Sequence, residues 1–82
     1  MAKILFTNGK IKVLDYMALT LDLMHNIVGG YIEMIPLPED EFIICNEDGT
    51  RLGLPINKKA SDLYKKDIIV GDVIIAKKNE IC

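Results

Sequence analysis

Residues 28–46 read VGGYIEMIPLPEDEFIICN and contain, in order, a helix end, a strand, a turn and a second strand. The glycine pair suits a left-handed helix cap followed by a tight reversal. Residues 31–37 alternate between two faces, as side chains do in a β-strand, and Pro36 and Pro38 are predicted to end that strand. Residues 41–46 form the next apolar run and therefore the next predicted strand.

The N-terminal segment predicts a β-hairpin. Residues 2–7 are rich in β-forming side chains and lead into Asn8-Gly9. That pair favours a type I′ turn, because both central positions of the turn need positive φ. A second strand over about residues 10–16 is expected to pair with the first.

Two short helices are predicted. Thr20 can cap a helix over about residues 20–28, with Gly29 as its left-handed C-cap. Asn57 can cap a second helix, which runs from Lys58 to about Lys65. The inward positions of this second helix are expected to be Ala60, Leu63 and Tyr64.

The remaining turns predict further short strands. Residues 47–49 are interpreted as a turn in which Gly49 supplies positive φ. Residues 51–54 are then expected to return as a strand beside residues 41–46. Two last strand pieces lie on either side of Gly71-Asp72.

Together these elements predict one α+β domain over residues 1–82. It has a curved, mostly antiparallel sheet of about six short strands and two short helices, and closure into a partial barrel is left open. The core is expected over about residues 2–77, with residues 78–82 as a loose polar tail.

Composition excludes several classes of protein. Half of the 82 residues are hydrophobic, which excludes intrinsic disorder, and thirteen of them are isoleucine. The formal net charge of −2 is too far from basic for a protein that binds nucleic acid by neutralising phosphates. No apolar run approaches the ~18 residues of a membrane span, and the N-terminus lacks a secretory signal, so a cytoplasmic location is expected.

The sequence offers little catalytic or metal-binding machinery. Cys45 and Cys82 show no metal spacing, and His25 has no partner at a metal-forming interval, so neither a metal nor a cofactor is expected. There is no phosphate-binding loop and no nucleophile paired with histidine, and we expect a non-enzyme. A hydrolase that uses the carboxylates of Glu33, Glu47 or Asp48 remains a third alternative.

One candidate ligand site surrounds the glycine pair. Gly29 and Gly30 let the backbone approach a ligand closely, or simply make a reversal. Tyr31 and Glu33 are predicted on one strand face, where a nucleoside base can stack on the ring and its ribose can donate to the carboxylate. The alternative is a half-buried tyrosine beside a surface glutamate.

The start of the second helix is the other part of this site. Free N–H groups there, with Lys58 beside them, can bind an anionic group such as phosphate, although a solvated basic face is the alternative. The predicted ligand-binding set is Gly29, Gly30, Tyr31, Glu33, Asn46, Asn57 and Lys58.

Four ordered blocks carry a family resemblance: VGGYIE at 28–33, NEDG at 46–49, LPIN at 54–57 with Ala60 after it, and IVGD at 69–72. They resemble a family of small domains of unknown function carried mainly by bacteriophages and mobile elements. The resemblance covers about residues 21–75. It implies a phage setting in the cytosol of a host cell, where small proteins sequester cyclic or ADP-ribose-derived nucleotides that serve as immune signals.

Two functional hypotheses follow. The first is a homo-oligomeric binding module that sequesters a nucleotide-derived immune signal as an anti-defence sponge. The second is a non-catalytic interaction module that binds a host protein through an apolar face, which the surplus of isoleucine favours. Self-association is expected in either case, because pairing hides apolar surface on a small domain.

Overall fold

The computed structural model describes residues 1–14 and 19–81. Its strands pair antiparallel within one sheet, in the order Ile11–Leu14, Ala2–Leu5, Val73–Lys77, Glu41–Asn46 and Ile32–Leu37. The α+β class and the curved antiparallel sheet are confirmed, although the described residues contain five strands rather than six and the sheet stays unclosed. The elements are β1 (Ala2–Leu5), β2 (Ile11–Leu14), α1 (Leu21–Val28), β3 (Ile32–Leu37), β4 (Glu41–Asn46), α2 (Lys58–Tyr64), β5 (Val73–Lys77) and a 3-10 helix (Lys78–Glu80).

Each face of the sheet packs against one helix. In the central strands, alternate side chains point to opposite faces. Ile44 of β4 and Ile74 of β5 belong to the cluster under α1, whereas Ile43 and Ile75 belong to the cluster under α2. Because both faces of these strands are buried, their sequences are continuous apolar runs rather than alternating ones.

Helix α1 has the caps that the sequence predicts. The Thr20 Oγ1 atom accepts a hydrogen bond from the Leu23 N–H at 3.2 Å. At the other end Gly29 is left-handed, with φ +83°, and its N–H donates to the His25 carbonyl at 2.8 Å. Buried Met24 and Val28 fix the helix on the sheet.

Helix α2 is held by the buried side chain of Asn57. Its Oδ1 accepts from the Ala60 N–H at 3.1 Å, which confirms the predicted cap. Its Nδ2 donates to the carbonyls of Leu5 at 2.8 Å and Gly71 at 2.9 Å. One amide therefore joins the start of the helix, the end of β1 and the segment before β5.

The predicted inward position of Leu63 is wrong, since its side chain is 47% exposed. Ser61, rather than Leu63, faces the neighbouring segment of the chain. Its Oγ donates to the Ile69 carbonyl at 3.2 Å and accepts from the Ile69 N–H at 2.8 Å. Ala60 is fully buried and Tyr64 is half-buried, as expected.

The helices α1 and α2 contain only eight and seven residues. In the described ranges, no helix is long and apolar enough to cross a membrane.

The predicted hairpin after β1 is present, but its turn type differs. Only Gly9 has positive φ, at +89°, so the turn is not type I′. The Gly9 N–H donates to the Phe6 carbonyl at 3.0 Å and the Phe6 N–H to the Lys10 carbonyl at 2.9 Å, which is a three-residue loop with a bulge at the glycine. Strand β2 ends at Leu14, and residues 15 and 16 of the predicted strand lie outside the described residues.

Strand β3 ends at Leu37, just before Pro38, as predicted, but the prediction that Pro36 also ends it is wrong, because Pro36 lies inside the strand opposite Phe42. The Glu47 N–H donates to the Tyr31 carbonyl at 2.9 Å, and hydrogen-bonded positions alternate along an antiparallel pair. The nitrogen of Pro36 therefore faces the open edge of the sheet, where no ladder donor is required.

The predicted strand over residues 51–54 is also wrong. Strand β4 already pairs with β3 on one side and β5 on the other, so no edge is left for a returning strand. These residues form turns, closed by the Leu54 N–H donating to the Gly49 carbonyl at 3.1 Å. Gly49 does not have positive φ. Glycine is favoured at this position because a Cβ there would lie 2.8 Å from Val70 Cγ2.

The segment expected to be a loose tail contains ordered contacts. The Lys77 N–H donates to Glu80 Oε1 at 2.9 Å at the start of the 3-10 helix. Ile81 then forms an isolated parallel bridge with Leu19, whose N–H donates to the Glu80 carbonyl at 2.8 Å. Cys82 lies outside the described residues.

We expect Asn57→Ala to lower the free energy of unfolding by about 2–4 kcal/mol, because it removes a helix cap and leaves two carbonyls without a buried donor. Urea unfolding measures this change. The exposed Asn79→Ala provides a matched control that should leave stability unchanged. Equal stability of the two variants would contradict the central role of the Asn57 amide.

Candidate functional site

A cleft of about 230 Å³, here called the β3 cleft, opens on the α2 face of the sheet beside edge strand β3. Glu33, Glu47 and Asp67 contribute carboxylates to its wall. Buried Cys45 and Ile69, with half-buried Ile35, form its apolar base. The remaining lining residues are Asn46, Thr50, Tyr64, Ile68 and Val70.

Strand register brings these residues together. Glu33 lies opposite Cys45, and Ile35 lies opposite Ile43, so their side chains share the face on which α2 packs. Two hydrogen bonds join Ile69, in the segment after α2, to Ser61 of the helix, and the buried Ile69 side chain packs in the cluster on this face. The cleft is therefore the space between the sheet edge and this segment.

The charges of the β3 cleft are of one sign. Among residues 1–14 and 19–81, none of its three carboxylates forms an ion pair. Burial, and secondarily the charge of Glu33, raises the pKa of the Cys45 thiol to about 11. This thiol donates to the Glu33 carbonyl at 3.7 Å and is a neutral part of the apolar base.

Of the predicted ligand-binding set, Glu33 and Asn46 line this cleft. The Asn46 side chain is buried and already used: its Nδ2 donates to the Val28 carbonyl at 3.1 Å, and its Oδ1 accepts from the Asp48 N–H at 2.8 Å. Gly30 lies against the same amide, since a Cβ there would be 3.1 Å from Asn46 Nδ2. Gly30 and Asn46 thus join the end of α1 to the turn after β4.

Tyr31 and Gly29 lie elsewhere. Tyr31 precedes β3, is 70% exposed, and meets the ring of His25 on α1 edge-on, with ring centroids 5.6 Å apart. It is absent from the lining of the β3 cleft, so the ring and the Glu33 carboxylate do not line a common pocket there. Gly29 borders a separate depression of about 320 Å³ with Leu54 and Gly71.

Asn57 and Lys58 do not reach the cleft. The Asn57 side chain has no exposed surface, and its amide nitrogen donates both hydrogens to backbone carbonyls. Lys58 Nζ lies 3.5 Å from Asp62 Oδ2 on the outer surface of α2. The seven predicted residues therefore divide among the β3 cleft, the α1 end, the interior and the outer surface of α2.

Sequence reasoning missed four polar residues of the cleft: Glu47, Thr50, Tyr64 and Asp67. Glu47 was noted as a carboxylate and Tyr64 as an inward residue, but nothing local places either of them beside Glu33. Their proximity depends on how the loop after β4 and the end of α2 return to the sheet edge.

A second depression, here called the lysine groove, adjoins the β3 cleft at Tyr64, which lines both. It measures about 380 Å³ and contains Lys65 and Lys66, with Leu37 of β3 opposite them. Within the described part of the chain, neither lysine forms an ion pair. That same part holds no group of three or more His, Cys, Asp or Glu side chains placed to bind a metal ion.

The raised Cys45 pKa predicts a loss of stability in alkaline solution. The unfolded thiol ionises near its ordinary pKa of 9.0, whereas the folded thiol stays protonated until about 11. The unfolded state therefore binds fewer protons between these values, and the free energy of unfolding should fall as the pH rises through that range.

Urea unfolding of Cys82→Ser and of Cys82→Ser/Cys45→Ala at a series of pH values isolates this contribution. Removing Cys45 should flatten the pH dependence between pH 9 and 11. Parallel curves for the two variants would contradict the assignment.

The comparisons with known proteins give a family and no activity. A family model described as Domain of unknown function (DUF3846) matches residues 2–81. No curated protein and no solved structure matches the chain. Because the match extends over almost the whole chain, the protein belongs to the DUF3846 family of domains of unknown function.

Proposed function

We propose that the protein is a non-catalytic binding module that sequesters a nucleotide-derived small molecule in the β3 cleft. The observation that carries this proposal is that Glu33, Glu47 and Asp67, none of them in an ion pair within the described residues, line one cleft together with apolar side chains. The cleft is small and mainly polar, and it offers hydrogen-bond acceptors beside a limited apolar surface, which suits a small polar ligand.

The chemistry of the cleft selects hydrogen-bond donors. An ionised carboxylate only accepts, and hydrogen bonds to it contribute about 1.5–3 kcal/mol each. Ribose hydroxyls and the amino groups of nucleobases are such donors. The aliphatic base formed by Ile35 and Ile69 offers a surface for the flat, weakly polar body of a nucleoside.

Within residues 1–14 and 19–81, no lysine or arginine forms an ion pair with these carboxylates. Lys58 is engaged with Asp62 on α2, and Arg51 is engaged with Asp48, with nitrogen to oxygen distances of 3.5 and 3.2 Å. This favours a ligand role for the cleft over a purely structural one.

The resemblance of the four sequence blocks to phage-carried domains supports the biological side of the proposal. In that setting the ligand is an immune signal of the cyclic or ADP-ribose type, and the protein acts against host defence by withholding it. The module works by stoichiometric binding, so it needs no catalytic group.

Thermal shift with ADP-ribose, adenosine and cyclic dinucleotides tests the proposal. A ligand at one hundred times its Kd should stabilise the protein by about 2.7 kcal/mol. Glu33→Gln should weaken binding about tenfold or more, because it replaces an ionised acceptor. Glu39→Gln, which makes the same chemical change on the β3–β4 loop, is the control and should bind normally.

The outcome of the same experiment also separates binding from turnover. The ligand should be recovered intact after the protein is denatured. No shift with any of these ligands, or equal binding by the two glutamine variants, would refute the β3 cleft as the site. Recovery of a cleaved ligand would favour the hydrolase alternative instead.

A protein-interaction module is the second candidate, favoured by the outer part of strand β2. Ile11 and Val13 are 50% and 53% exposed on neighbouring positions of the same strand face. Such an apolar face suits a host protein or a second copy of this chain. Capture of a stoichiometric host protein that Val13→Lys abolishes and Glu33→Ala leaves intact would favour this candidate, and light scattering would report self-association.

A further inference from the structure

We infer that the ligand lies lengthwise along β3, with a free ribose 2′,3′-diol in the β3 cleft and its phosphate groups in the lysine groove. This inference rests on the proposed function and narrows its ligand class. It selects nucleotides in which a ribose with a free 2′,3′-diol carries its phosphate groups on the 5′ side, as in ADP-ribose, and it disfavours 3′,5′-cyclic nucleotides.

The two depressions adjoin each other on one face of β3. Glu33 and Ile35 line the β3 cleft, Leu37 lines the lysine groove, and all three side chains lie on the same face of β3. At about 3.3 Å per residue, this row is about 13 Å long. Tyr64 lines both depressions, which places an aromatic residue where a ligand would pass from one to the other.

Charge is segregated along this row. Carboxylates from Glu33, Glu47 and Asp67 belong to the β3 cleft, whereas the side chains of Lys65 and Lys66 belong to the lysine groove. A phosphate placed among the carboxylates would be repelled, so it is directed to the lysine end. Since neither lysine forms an ion pair within residues 1–14 and 19–81, both ammonium groups are available to it.

The carboxylate end distinguishes open from cyclic nucleotides. A free ribose presents two adjacent hydroxyls, which can donate together to one carboxylate, and such charge-assisted pairs are strong. In a 3′,5′-cyclic nucleotide or dinucleotide the 3′-oxygen is part of the phosphodiester. Only one hydroxyl then remains, and the negative phosphate is held beside it, against the carboxylates.

Isothermal titration calorimetry with ADP-ribose, adenosine and 3′,5′-cyclic di-AMP tests the orientation. ADP-ribose should bind at least about tenfold more tightly than the cyclic dinucleotide. Lys65→Gln/Lys66→Gln should weaken ADP-ribose binding about tenfold or more and reduce its dependence on salt, while leaving adenosine binding unchanged. Lys58→Gln/Lys59→Gln, which removes the same charge from the outer surface of α2, should leave both unchanged.

The outcomes distinguish this inference from the proposed function. Tight binding of the cyclic dinucleotide that Glu33→Gln weakens, with weak binding of ADP-ribose, would overturn the inference and leave the β3 cleft as a binding site. Equal effects of the two double-lysine variants on ADP-ribose would overturn the lysine groove as the phosphate site. No binding by any of the three compounds would overturn both.

Discussion

Asn57 joins three parts of the chain that are far apart in sequence. Its amide donates to the carbonyls of Leu5 and Gly71 and accepts from the Ala60 N–H, all within a side chain that has no exposed surface. A buried amide that satisfies every partner fixes geometry as well as adding stability. Helix α2 therefore begins at one defined place on the sheet.

The candidate site depends on that placement. Because α2 is only seven residues long, a fixed start also fixes where Tyr64 and the segment after it lie. The bonds between Ser61 and Ile69 then tie this segment to α2, and the β3 cleft lies between it and the sheet edge. At the opposite side of the cleft, Asn46 secures the turn that carries Glu47.

Local sequence patterns were sufficient to predict those features that depend on residues close together in the chain. The caps at Thr20, Gly29 and Asn57 and the alternation along β3 all depend on residues a few positions apart. The predicted strand over residues 51–54 is wrong because β4 already pairs with a strand on each side. That arrangement involves residues far apart in the chain, so no local sequence pattern indicates it.

The candidate site was predictable only in part, for the same reason. Glu33 was identified from the strand pattern, but Asp67 comes beside it through the return of α2 to the sheet edge. Asn57 was suggested both as a helix cap and as a ligand contact, and a buried amide with both hydrogens engaged serves the first role. Polar residue type alone does not separate a ligand contact from an internal bond.

Pro36 has a consequence for how this molecule meets other chains. The open edge of β3 presents the backbone N–H groups of Ile32 and Met34. The next outward position is Pro36, which has no N–H, so the row of donors ends there. A strand from another chain can therefore pair with β3 over only a short length. Pro36 therefore limits edge-to-edge pairing at β3, whereas the opposite edge strand, β2, contains no proline.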